Sequence, residues 1–131
     1  MSRKTLINTL ENVFQPGVNQ AMKEDLIGTK KKTWTLAAET VVAPDFGEYS
    51  FHEILLNTQN ITINATVTGL EVGEKVYLKI VQDDAAARTV TFGTNILTDV
   101  TVTASTDAVD LLVGVFDGTN LIFGALAQAV S

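Results

Sequence analysis

The stretch VGVFDGTNLIFG, residues 113–124, predicts two β-strands joined by a tight turn. Asp117-Gly118 suits the positive φ angles of a two-residue type I′ hairpin, and apolar residues flank this pair on both sides. Such a turn places Phe116 opposite Thr119, so strand alternation divides the neighbouring side chains into two sets. One set is Val113, Val115 and Ile122, and the other is Phe116, Leu121 and Phe123. Both sets are apolar, so the hairpin needs a partner for each of its faces.

Short alternating segments of this kind continue through most of the chain. Residues 60–68 place apolar side chains at odd positions and Thr or Asn at even positions, which is the pattern of a half-buried strand. Strands are expected near residues 33–42, 48–56, 60–68, 75–80, 89–92, 100–103, 107–116 and 119–127. Because no helical pattern separates these strands, the sequence predicts an all-β fold, an antiparallel β-sandwich or jelly roll of about eight strands.

The first 32 residues differ from the rest in apolar pattern and in net charge, and they predict an N-terminal helical anchor. Five apolar residues fall on one side of a helix: Leu6, Ile7, Leu10, Val13 and Phe14. Residues 1–32 carry a net charge of +3, ending in Lys30, Lys31 and Lys32, whereas residues 33–131 carry −9. This contrast predicts a basic anchoring segment, residues 1–32, before a β body, residues 33–131. A single closed α+β domain is the alternative.

Composition excludes several classes of protein. The 131 residues include no cysteine, which rules out disulfides and thiolate metal sites. The acidic body is poorly suited to bind nucleic acid, because contacts to phosphate dominate that affinity. No apolar run approaches the length of a membrane span, and polar residues interrupt the N-terminus where a secretory signal would be apolar. We therefore expect a soluble, unexported protein with neither a nucleic-acid nor a membrane partner.

No residue pattern indicates catalysis, a metal or a cofactor. His52 is the only histidine and lies in a predicted strand, where a packing role is the simplest interpretation. Asp83-Asp84 resembles a turn, and the spacing of Asp107 and Asp110 does not match a calcium loop. We predict that the chain is not an enzyme.

Three aromatic residues are candidates for a glycan-binding surface, because aromatic rings stack on sugars. They are Trp34, Tyr49 and Tyr77, and they lie in three different predicted strands. Packing in a core or an interface is the alternative for each of them.

The two faces of the final hairpin lead to a prediction of self-association. The β-branched set that includes Val113, Val115 and Ile122 is continuous, so we assign it to the core. The other side then points outward and forms an oligomer interface of Leu112, Phe116, Leu121 and Phe123. A homo-oligomer of closed symmetry is the simplest result. Cover by the leader helices or by another strand of the same chain is the alternative.

Residues 67–124 resemble a small β domain that recurs in fibre and surface-decorating proteins of tailed bacteriophages. The matching features are Gly73 followed by Tyr77-Leu78 and Ile80, then Gln82-Asp83, then the run RTVTF at 88–92, and finally DGTN at 117–120. Related domains often carry Trp or Tyr where this chain has Leu121.

This resemblance implies a virion structural protein, commonly a homotrimer, displayed on the particle surface after assembly in the host cytoplasm. The N-terminal segment would attach to a capsid protein or another virion protein. The short chain favours a head fibre or a capsid decoration protein. A tail-fibre or adaptor component, or a carbohydrate-binding module at a fibre tip, is the alternative.

Overall fold

The computed structural model describes residues 31–130, which belong to the second of two units, 1–30 and 31–131, into which the chain divides. These residues form nine strands: β1 Lys31–Thr35, β2 Val41–Val42, β3 Phe51–Leu55, β4 Ile61–Ile63, β5 Lys75–Val81, β6 Val90–Phe92, β7 Ile96–Thr98, β8 Val109–Phe116 and β9 Leu121–Val130. The all-β class is confirmed for this part of the chain. Within it, no helix is long and apolar enough to cross a membrane. The predicted helical anchor lies outside the described residues.

The strands form two sheets that are wound like the coils of a solenoid. The larger sheet has the order β1-β3-β5-β8-β9-β7, and the smaller has the order β2-β4-β6. The chain alternates between the sheets, so β1 and β2, β3 and β4, and β5 and β6 form three successive coils. Neighbouring coils pair in parallel in both sheets. The expected antiparallel sandwich or jelly roll is therefore wrong for the first six strands.

Antiparallel pairing begins only after the third coil. Strand β8 runs antiparallel to β5, and β9 runs antiparallel to β8, so this hairpin ends the parallel stack. Strand β7 then pairs in parallel with β9 at the sheet edge. The strand expected at residues 100–103 is absent from the described fold, although Val102 is buried there.

The core lies on the inner side of both sheets, and the alternation in the sequence determines which side chains reach it. Ile61 and Ile63 of β4 are buried, as predicted from the pattern of residues 60–68. Val76, Leu78 and Ile80 of β5 are also completely buried. Side-chain burial of this kind contributes about 1.5–3 kcal/mol for each large aliphatic residue.

Asparagine side chains tie the second coil to the third. The amide oxygens of Asn60 and Asn64 accept hydrogen bonds from the backbone N–H groups of Thr89 and Thr94, at 2.9 and 2.7 Å. Both asparagines lie in sequences that fit the N-glycosylation pattern. Their structural role is to satisfy backbone donors where the strands end.

The final hairpin differs from the prediction in its loop and in which face is buried. Its loop has four residues, because Phe116 pairs with Leu121, and the Asp117 side chain accepts hydrogen bonds from the N–H groups of Thr119 and Asn120. The loop is two residues longer than expected, a change that preserves the alternation. The two predicted sets of side chains are therefore confirmed as sets.

The assignment of these sets to core and surface was inverted. The residues predicted to form the oligomer interface are core residues, with exposed fractions of 0% for Leu112, 7% for Phe116, 0% for Leu121 and 3% for Phe123. Large rings fill the space inside the sheet, and Gly114 makes room for one of them. A Cβ atom at Gly114 would lie only 2.8 Å from a ring carbon of Phe123. These four side chains are therefore covered by their own chain.

Candidate functional site

The outward face of the six-stranded sheet is the first candidate site. The strand register places the outward residues in rows, for example Phe51, Tyr77 and Val113 across β3, β5 and β8. Its apolar members are Phe51, Leu55, Tyr77, Val81, Leu97, Val109, Leu111, Val113, Val115, Ile122 and Val130. We call these eleven residues, with the backbone between them, the outer face.

The outer face is a broad apolar surface that its own chain leaves partly exposed within residues 31–130. Val115 is 39% exposed, Ile122 49%, Leu97 51% and Val130 52%. These residues lie on β7, β8 and β9, whereas the apolar outward side chains of β3 and β5 are half-buried. Contiguous apolar surfaces of this extent on soluble proteins usually mark contacts with other molecules.

Four charged side chains lie on this side of the described sheet: Lys31, Glu53, Lys75 and Lys79. Glu53 of β3 forms ion pairs with Lys79 of β5 at 3.0 Å and with Lys31 of β1 at 3.4 Å. The hydrogen bond from Lys79 is the main cause of the lowered pKa of Glu53, and burial opposes it. Thr33 also donates its hydroxyl to this carboxylate. Glu53 therefore offsets part of the positive charge on this side, and Lys75 is exposed opposite Val115.

Two of the three lysines assigned to the predicted anchor lie among the described residues, and the third does not. Lys31 and Lys32 begin β1, so the structure places them inside the β body rather than in the segment before it. Lys30 and the apolar stripe from Leu6 to Phe14 lie outside the described residues.

A small depression on the inner side of β1 is the second candidate site. It has a volume of about 190 Å³ and is lined by Lys32, Trp34, Asp45, Glu48, Tyr49 and His52. We call it the aromatic depression. It brings together two of the three predicted glycan contacts, Trp34 and Tyr49. The third, Tyr77, lies on the outer face, where its ring centroid is 6.2 Å from that of Phe51.

His52 is buried beneath the aromatic depression and contacts the residues that line it. It is 1% exposed, accepts a hydrogen bond at Nδ1 from the Trp34 indole N–H at 3.0 Å, and donates from Nε2 to the backbone carbonyl of Asp45 at 2.9 Å. Burial lowers the pKa of His52, and this effect exceeds the opposing hydrogen bonds to backbone carbonyls. With both ring nitrogens engaged, this neutral imidazole holds its neighbours in place, and the packing interpretation of His52 is confirmed.

The buried aspartates also have structural roles. Asp83 binds Arg88 through two guanidinium nitrogens at 3.0 and 3.1 Å, and it accepts hydrogen bonds from the backbone of Ala85 and Thr58. Asp110 accepts hydrogen bonds from the backbone N–H groups of Thr103 and Ala129 and from the Gln128 amide. In the part of the chain that the structure describes, no three His, Cys, Asp or Glu side chains converge in a way that could hold a metal ion.

Comparison with known proteins gives no relative from which a function could be transferred, because no protein-family model and no curated protein matches the chain.

Sequence reasoning identified some members of the second site but not their arrangement. Trp34 and Tyr49 were selected as aromatic residues, whereas His52 was considered by itself. Asp45 and Glu48 were missed, since between β2 and β3 Asp45 forms only an isolated β-bridge and Glu48 lies in a turn. The one sequence signal for these two residues was the run Asp45-Phe46-Gly47, which predicts a turn close to the aromatic residues.

Proposed function

We propose that this chain is a bacteriophage virion structural protein, a head fibre or capsid decoration protein. In this proposal its β body forms a homotrimer on the particle surface, and its N-terminal segment attaches to a capsid protein or another virion protein. The resemblance of residues 67–124 supports the phage assignment. The outer face supports self-association and is the observation on which the proposal depends.

The size of the outer face fits contact with sister chains. Strands lie about 4.8 Å apart and rise about 3.4 Å per residue, so six strands with outward rows along β5 and β8 cover roughly 24 by 20 Å, or about 500 Å². In a homotrimer the three faces would pack around a common axis and together bury about 1,500 Å² of protein surface. The occupants proposed for this face are therefore the same faces of two sister copies.

Substitution of Ile122 by Asp tests this assembly. Ile122 is 49% exposed on β9, so a carboxylate is tolerated in the isolated chain but is desolvated in the oligomer. We expect the unsubstituted protein to sediment at about three times the chain mass of 14.1 kDa, and Ile122→Asp to shift it towards the single-chain mass. Analytical ultracentrifugation over a concentration series measures both species.

Val72→Asp is the matched control, because Val72 is 74% exposed in the turn before β5 and does not belong to the outer face. It adds the same charge and should leave the mass unchanged. A monomeric unsubstituted protein, or an Ile122→Asp protein of unchanged mass, would refute the proposed assembly.

Attachment is tested separately with full-length variants and phage particles that lack the protein. Leu10→Asp places a charge on the predicted apolar stripe, whereas Asn12→Asp places it on the opposite side of the same predicted helix. We expect only Leu10→Asp to abolish co-sedimentation with particles. Electron microscopy of decorated particles separates a head position from the alternative of a tail-fibre or adaptor component.

A further inference from the structure

We infer that the aromatic depression is a binding site for one neutral pyranose unit of a glycan. The inference goes beyond the proposed assembly and does not depend on it, because the depression is on the inner side of β1 and the outer face is on the opposite side of the sheet.

The depression is rigid because its aromatic rings are held by buried contacts. The Trp34 indole is fixed by its hydrogen bond to His52, and the ring of Phe46 packs edge-on against His52 with centroids 4.7 Å apart. Tyr49 meets the same imidazole edge-on at 5.9 Å. Preorganised rings of this kind lose little conformational entropy when a ligand stacks on them, which favours affinity.

Polar groups at the rim are suited to sugar hydroxyls. The carboxylate of Asp45 accepts hydrogen bonds from the N–H groups of Gly47 and Glu48 through one oxygen, which fixes the turn that carries Glu48. Glu48 is exposed at the rim, and the Lys32 ammonium lies 5.6 Å from the centre of the Trp34 ring. Carboxylates accept and an ammonium donates hydrogen bonds, so the rim can bind hydroxyl groups in both directions.

Size and charge determine which ligand fits. A depression of 190 Å³ is smaller than the sites of drug-sized ligands and suits a single sugar ring. Two carboxylates against one ammonium disfavour phosphates and other anions. A pyranose offers an apolar C–H face for the Trp34 ring and hydroxyls at its edge for Glu48 and Lys32.

Intrinsic fluorescence provides a direct test, because Trp34 is the only tryptophan in the chain. The full chain is titrated with the methyl glycosides of glucose, galactose and N-acetylglucosamine, and with sorbitol as an open-chain polyol that has no ring face. At least one glycoside should change the emission saturably, with half-saturation on the order of 1–10 mM, whereas sorbitol should not. The inference is overturned by an unchanged emission for all three glycosides up to about 100 mM, or by an equal response to sorbitol.

Two matched variants test whether the sugar binds at the rim of the depression. Glu48→Gln removes the carboxylate at the depression and should weaken the affinity at least three-fold. Glu71→Gln makes the same change at another exposed position and should leave it unaltered. Equal affinities in the two variants would overturn the assignment, and matching urea midpoints of both variants ensure that the comparison concerns binding and not folding.

Discussion

The buried carboxylate of Asp110 gives the sharpest prediction about stability. Asp110 lies on the inner side of β8 and is 1% exposed. One oxygen, Oδ1, accepts a hydrogen bond from the Ala129 N–H at 2.8 Å. The other, Oδ2, accepts from the Thr103 N–H at 2.7 Å and from the Gln128 amide at 3.2 Å. Burial acts to raise the pKa of Asp110, but these hydrogen bonds together outweigh it, and the pKa is lowered.

Asp110→Asn removes one acceptor and adds a donor at a site where every neighbour donates. The asparagine oxygen can replace only one of the two carboxylate oxygens, so its NH₂ group faces a backbone N–H. Loss of a hydrogen bond to a charged group and an unsatisfied buried donor together cost about 2–4 kcal/mol. With a urea m-value of about 1.5–2 kcal/mol per molar, the midpoint should fall by at least about 1 M.

Asp117→Asn is the matched control for this substitution. Asp117 accepts hydrogen bonds from the N–H groups of Thr119 and Asn120, but it uses a single oxygen, Oδ1, for both. An asparagine oxygen can make the same two bonds in an exposed turn, so the change should stay within about 0.5 kcal/mol. Urea unfolding followed by circular dichroism compares the two variants. Equal destabilisation would refute the argument that the use of both oxygens determines the cost.

Two further predictions concern the loss of stability at low pH and the close packing of the backbone at a glycine. The pKa of His52 is lowered below its ordinary 6.5, so the folded chain resists protonation of this only histidine, and the urea midpoint should start to fall as the pH drops below 6.5. The pKa values of the hydrogen-bonded aspartates, Asp83 among them, are lowered below 3.8, so they stabilise the fold above that pH and a second, steeper fall should follow below about pH 4. His52→Gln should remove only the first fall, and a fall that persists in this variant would contradict the assignment. Gly47→Ala should destabilise by about 1–3 kcal/mol, because its Cβ would overlap the Thr68 carbonyl, whereas Gly124→Ala, with open space around it, should be close to neutral in the same urea assay.

The faces of individual strands could be predicted from the sequence, whereas the partners of those strands could not. Alternation correctly identified the buried residues Ile61, Ile63, Val76, Leu78 and Ile80. Alternation is the same in parallel and antiparallel strands, so it says nothing about direction. Parallel partners need a crossover, which is usually a helix, and here short strands of the second sheet provide it instead. Successive coils are offset by 20 and then 26 residues, as Lys31, Phe51 and Tyr77 show, so no fixed repeat length is visible.

The inverted core of the final hairpin has a specific cause. Asp110 and Gly114 interrupt the side that carries Leu112 and Phe116, which made the uninterrupted β-branched side look like the better core. A carboxylate with three donors around it satisfies its hydrogen bonds inside the protein, and a glycine there admits the ring of Phe123. Neither the hydrogen bonds to Asp110 nor the contact between Gly114 and the Phe123 ring can be seen in the sequence of β8, because the partners lie elsewhere in the chain. The aromatic depression was unpredictable for the same reason, because it depends on contacts between different coils.

The edges of the larger sheet indicate how copies of this chain would meet. An exposed edge strand can pair with another sheet, and proteins prevent this with short strands and with lysines. Within residues 31–130 the outermost strands are β7, which has only three residues, and β1, which begins with Lys31 and Lys32. These two strands are therefore poor templates for a further strand. The outer face has no such protection, with Leu97 and Ile122 about half exposed on adjacent strands. In the proposed homotrimer, the protection of β1 and β7 but not of the outer face favours association through that face around a common axis, which yields a closed assembly instead of an open fibril.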